Sequence, residues 1–109
     1  MSDSRLCYFP VHGRAGHIRV LLCHGNIPHT DEQLTFEAFG ARKAAGEFIN
    51  GQLPVWYQNG KQFNESKAIL RLIGAQHGYY PEDCFAAAQV DAIVDYTQDF
   101  LPKLIPDQM

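Results

Sequence analysis

The sequence predicts an α/β fold: a small mixed sheet with helices on both faces, followed by one long amphipathic helix. Three observations carry that expectation. A short aromatic run at 5–9 precedes a helical period at 13–24. An Asn59-Gly60 pair separates two β-prone runs. After Pro81 the apolar spacing turns helical and stays so to residue 101.

Arg5-Leu-Cys-Tyr-Phe9 is apolar and aromatic and is bounded by Pro10, the signature of a strand. From Gly13 to His24, Ile18, Leu21 and Leu22 fall on one helical face, and Gly25 and Pro28 close the segment. His29 to Phe36 alternates weakly and reads as a second strand. Glu37 to Gly51 has no clean period and reads as a loop with a short helix. Leu53 to Tyr57 and Lys61 to Phe63 form a hairpin, because Asn-Gly supplies the two positive-φ residues of a type I′ turn. Ser66 to His77 is helical, with Ile69, Leu72 and Ile73 on one face, and ends at Gly78 and Pro81. The order βαβ then ββα outlines a thioredoxin-like domain. Beyond it, Ala86, Val90, Ile93, Val94, Phe100 and Leu101 form one stripe, so 85–101 is expected to be an amphipathic helix ending at Pro102. Such a stripe must bury itself, either on the domain or on another chain.

At 109 residues with 46% apolar and 19% charged residues, the chain can bury one modest core and is not expected to be disordered. A net charge of −3 with scattered cations gives no nucleic-acid face. The polar start and the lack of a long apolar run predict neither a secretory signal nor a membrane span, so the expected compartment is the cytoplasm. Cys7, Cys23 and Cys84 form no CxxC pair and are expected to be free thiols, buried or half-buried. The five histidines (His12, His17, His24, His29, His77) lack metal-ligand spacing, so no metal is expected.

Leu6-Cys-Tyr-Phe9, Gly13-Arg-Ala15, Ile18-Arg19, Gly51-Gln-Leu-Pro-Val55, Asn59-Gly-Lys61 and Ser66-Lys-Ala-Ile69 occur in the order and spacing of cytosolic glutathione transferases. Each motif alone is weak; six in register are specific. The chain resembles most the classes with a catalytic tyrosine, the sigma class in particular, well over 5–81 and moderately over 82–101. The resemblance implies that residues 1–81 are the glutathione-binding domain. It also implies that 82–109 begin an all-helical C-terminal domain, here incomplete because the family's subunit is roughly twice this length. The chain is then a piece of a longer transferase, a naturally short form, or a protein that exchanges helices between copies.

The resemblance assigns roles that the residues can support. Tyr8, at the carboxyl end of the first strand, would donate its phenol proton to the thiolate of glutathione; the alternative is an aromatic side chain packing at a strand end. Leu53-Pro54 resembles the family's cis-proline turn, whose preceding residue pairs its backbone with the cysteinyl unit; a trans proline opening an edge strand is the other reading. Ser66 would sit at a helix N-terminus suited to the γ-glutamyl carboxylate, or simply cap the helix. Glu65 would take the adjacent ammonium, and Gln52 would add a hydrogen bond. Phe39 and Lys43 match the family's Trp-x-x-x-Lys for the glycine carboxylate, with an indole donor lost and Arg42 as a substitute cation. Arg14 follows in the Gly-Arg-Ala motif as a site contact or loop brace. In His17 the chain departs from the family's Glu, so His17 is expected at the surface. Asp95 matches an acidic residue that reaches a partner subunit's site, or is a polar residue opposite the apolar stripe.

The resemblance therefore implies glutathione transfer to a small electrophile, with no cofactor beyond glutathione as co-substrate, in a homodimer. It does not separate general detoxification from prostanoid isomerisation. A glutathione-binding or structural module without turnover is a second expectation. A disulfide exchange through Cys7 is a third.

Overall fold

The computed structural model describes residues 3–104, with side chains as far as 96. Four strands, β1 (Arg5–Tyr8), β2 (Thr30–Gln33), β3 (Val55–Gln58) and β4 (Lys61–Asn64), form one sheet in the order β2-β1-β3-β4. β1 runs parallel to β2, with Cys7 beside Glu32, and antiparallel to β3, with Cys7 beside Val55. The hairpin closes as the sequence requires: Asn59 and Gly60 take φ of 54° and 73°, the positive pair of a type I′ turn.

The helices are α1 (Gly16–His24), α2 (Phe36–Ala44), α3 (Ser66–Gln76) and α4 (Cys84–Leu104), and a 3-10 turn at Gly13–Ala15 leads into α1. Ile18 and Leu22 of α1 and Ile69 and Ile73 of α3 are fully buried, the products of their helical spacing. Neighbouring strand residues face opposite sides of the sheet, so β1 serves two layers. Tyr8 points toward the 3-10 turn, whereas Cys7 lies beside Glu32 and the Arg42 of α2.

Two expectations need correction, and a third is made definite. The short helix expected after Glu37 is α2, nine residues long and started by Thr35, whose hydroxyl accepts the Ala38 N–H at 3.0 Å. None of its residues is fully buried, which is why no clean apolar period marks it. α4 does not stop at Pro102 but runs to Leu104. Proline removes one ladder bond, but its fixed φ is helical, so the last turn continues. Cys23 and Cys84 are exposed, and only Cys7 is buried.

The α4 stripe divides. Val90 and Val94 turn toward the domain, while Phe85 and Ile93 are 79% and 68% exposed. Phe100 and Leu101 lie outside the described side chains. Polar contacts fix the helix: Asp83 accepts the Ala86 N–H at 2.9 Å, and Asp91 accepts both from Arg71 Nε at 2.7 Å and from the Tyr80 hydroxyl at 2.9 Å.

Candidate functional site

Tyr8 ends β1, and its ring is completely buried. Its hydroxyl oxygen accepts the backbone N–H of Arg14 at 2.9 Å. That bond uses a lone pair of the phenol and leaves the hydroxyl's own proton to be donated elsewhere. The loop between them is braced by Arg19, which reaches back from α1. One Nη donates to the carbonyl of Val11 at 2.6 Å; the other donates to Phe9 at 3.1 Å and to Asp31 at 3.2 Å. The guanidinium carbon lies 5.6 Å from the centre of the Tyr8 ring. Sequence reasoning used Arg19 only as a matching motif; a lone arginine on a helix carries no signal of a tertiary brace.

Beside this loop opens a cavity of about 290 Å³, lined by Phe9, Arg14, Phe39, Lys43, Gly51, Gln52 and Leu53. Five expected residues (Arg14, Phe39, Lys43, Gln52 and Leu53) meet there. Phe9 and Gly51 were not among them. Phe9 packs edge-on against Phe39 at 5.4 Å and against Phe36 at 4.7 Å, so one wall is aromatic. Lys43 lies one turn after Phe39 on α2, its ammonium 5.7 Å from the ring centre. Gly51 has a φ of +67°, and a Cβ there would come within 3.4 Å of Lys43 Cε. Glycine thus admits both the left-handed turn and the lysine beside it.

Tyr8, Pro54, Glu65, Ser66 and Asp95 are not among the lining residues. The Leu53–Pro54 bond is cis. Ser66 is the first residue of α3 and is buried. Glu65 precedes it with φ 73° and ψ 116°, outside the wells open to ordinary residues. Its carboxylate makes no capping bond to α3 and instead accepts from Asn50 Nδ2 at 2.9 Å. Asp95 lies on the other side of the chain's polar joint, 3.4 Å from Lys67 Nζ and 3.3 Å from Arg71 Nη2. His17 is exposed, as its departure from the motif suggests.

Arg42 is not a substitute for Lys43. It donates to Glu32 at 2.9 Å and forks onto Glu47, binding both carboxylate oxygens. The hydrogen bond from Arg42 holds the Glu47 carboxyl below the usual 4.5. Burial raises the Glu32 carboxyl, yet the Arg42 hydrogen bond and the Arg5 charge outweigh it and leave that group lowered as well. Tyr57 is pushed up to about 12, first by burial and then by its hydrogen bond to Glu47. Burial, reinforced by the charge of Glu32, pushes the Cys7 thiol up to about 12. A fully buried thiol with its titration raised disfavours disulfide exchange through Cys7. Among the described residues no group of three His, Cys, Asp or Glu is placed to hold a metal. No described helix is long and apolar enough to cross a membrane.

No family model matches the chain. A curated relative from Caenorhabditis elegans, a probable glutathione S-transferase 6, is 35% identical over 97% of this chain and 50% of its own length. A solved Nu-class glutathione S-transferase from Haemonchus contortus superposes with a TM-score of 0.81 at 37% identity, over 93% of this chain and 48% of that one. This chain is homologous to the amino-terminal half of glutathione S-transferases. The monomeric glutathione S-transferase Na-GST-3 of Necator americanus also matches, with a TM-score of 0.84 at 31% identity over 94% of this chain and 49% of that one. The chain spans about half the length of the transferases it matches.

Proposed function

We propose that the chain is the glutathione-binding half of a glutathione transferase and that Tyr8 stabilises the thiolate of the bound tripeptide. The observation that carries the proposal is the Tyr8 hydroxyl: it accepts the backbone N–H of Arg14, a residue that lines the cavity, so its own proton stays available for donation. In the reaction the thiol proton leaves to solvent and the sulfur anion accepts the phenol's hydrogen bond. The sulfur lone pair then forms a bond to carbon, and the leaving group departs with its electron pair.

The remaining contacts follow from what each part of glutathione offers. Glu65 takes the γ-glutamyl ammonium. The N-terminus of α3 at Ser66 takes the neighbouring carboxylate. Leu53, beside the cis bond, presents backbone groups to the cysteinyl unit. Lys43 and Arg14 line the cavity as cations for the glycine carboxylate, with Gln52 adding a polar contact. A cavity of about 290 Å³ is at the lower limit of a ligand pocket, ~300 Å³. It therefore accommodates part of the tripeptide. Asp95 is half exposed at the Lys67 and Arg71 cluster and would enter a site only in a second copy, so its role depends on homodimer formation. Light scattering distinguishes such a homodimer from a monomer.

Tyr8→Phe tests the reading. A hydrogen bond to a charged group is worth about 1.5–3 kcal/mol, so conjugation of a chromogenic electrophile should fall about 10- to 150-fold. Affinity for immobilised glutathione should persist. Undiminished conjugation in the variant contradicts the assignment, and binding without conjugation in the wild type leaves only a binding module.

A further inference from the structure

We propose that Asn50 is a positioning residue for the γ-glutamyl end of glutathione, acting through Glu65; the inference rests on the reading of Glu65 given above. Glu65 needs outside support. Its backbone occupies a sparsely populated positive-φ conformation, which persists only where surroundings impose it. Its carboxylate caps nothing on its own helix.

The Asn50 side chain supplies that support from three directions. Its Nδ2 donates to Glu65 Oε2 at 2.9 Å. Its Oδ1 accepts the backbone N–H of Gln52 at 3.2 Å and Nδ2 of Asn64 at 3.3 Å. The amide orientation is fixed by chemistry, because a carboxylate only accepts and a backbone N–H only donates. Asn50 therefore ties together a residue that lines the cavity, Gln52, the end of β4 and the start of α3. Gln62 secures the same loop from behind: its Oε1 accepts from Ile49 N–H at 2.8 Å and from Asn64 at 3.0 Å, and its Nε2 donates to the Glu47 carbonyl at 2.9 Å. An ammonium arriving at Glu65 thus meets a carboxylate whose second oxygen is already held, with Gln52 set alongside. The signal was weak in the sequence because Asn50 reads as one more polar loop residue.

Calorimetric titration of glutathione into Asn50→Ala, Glu65→Ala and the double variant tests the inference. Asn50→Ala should weaken glutathione binding about 3- to 10-fold, the effect of one net hydrogen bond. In the Glu65→Ala background the same change should cost less than about twofold, because residues acting through one another are not additive. Competition by cysteinylglycine, which lacks the γ-glutamyl unit, should be unaffected by Asn50→Ala. Asn50→Asp keeps the Oδ1 acceptor for Gln52 and Asn64 but faces Glu65 with a like charge, so it should bind glutathione no better than Asn50→Ala. A wild-type affinity in Asn50→Ala while Glu65→Ala binds weakly overturns the inference alone. So does an equal loss for cysteinylglycine. A wild-type affinity in Glu65→Ala removes the reading of Glu65 and the inference with it.

Discussion

At the scale of single residues, the site depends on side chains that hold backbone rather than ligand. Arg19 donates to two loop carbonyls and to Asp31 and places its charge below the Tyr8 ring. Arg19→Met keeps much of the aliphatic stem but abandons those acceptors. Leaving a partly buried acceptor without its donor costs about 1–3 kcal/mol. We expect an unfolding free energy, read from denaturant titration, lower by that amount and a lower conjugation rate; an unchanged unfolding free energy would contradict the bracing role. Residues of this kind were poorly legible in the sequence. Tyr8, Leu53, Pro54 and Ser66 stood in recognisable motifs; Phe9 and Gly51 lay inside the same motifs but were given no place at the site, because which residues line the cavity depends on where the loops fold. Asn50 and Arg19 act through tertiary hydrogen bonds whose partners are 15 and 8 to 12 positions away, and no local pattern encodes that.

Among the elements, legibility followed burial. β3 and β4 were readable from the Asn59-Gly60 turn, and α3 from Ile69 and Ile73, because turn chemistry and apolar spacing are both local. The bounds of α2 were less so, since charge as well as packing anchors it. Its Arg42 joins Glu32 of β2 to Glu47 of the following loop, and this joint sets Phe39 and Lys43 against the cavity. Both carboxyls have folded values below 4.5, so their contribution to stability is present above the unfolded value and is lost as pH falls through the lowered folded values. Thermal melts should therefore show the wild type losing stability as pH drops below about 4.5, and Arg42→Met losing distinctly less over that interval. Parallel curves for the two proteins would mean that the network does not anchor α2.

For the molecule as a whole, the described residues contain a four-stranded sheet and a cavity of about 290 Å³, within a chain about half as long as its relatives. The exposed Phe85 and Ile93 on α4 show that this helix presents apolar surface away from the sheet domain. The order of elements and the family were legible because six motifs stand in register; the split of the α4 stripe was not, because periodicity alone does not say which half of a broad apolar face meets the domain. The proposed function centres on one chemical event, the ionisation of a bound thiol. That event is measured most directly by following thiolate ultraviolet absorbance of protein-bound glutathione as pH is raised, in the wild type and in Tyr8→Phe. With the phenol's hydrogen bond in place, the bound thiol should titrate about one to two units below its ordinary ~8.5 and return toward that value in the variant. A bound thiol that titrates near 8.5 in the wild type, or is lowered equally in both proteins, would contradict the role of Tyr8.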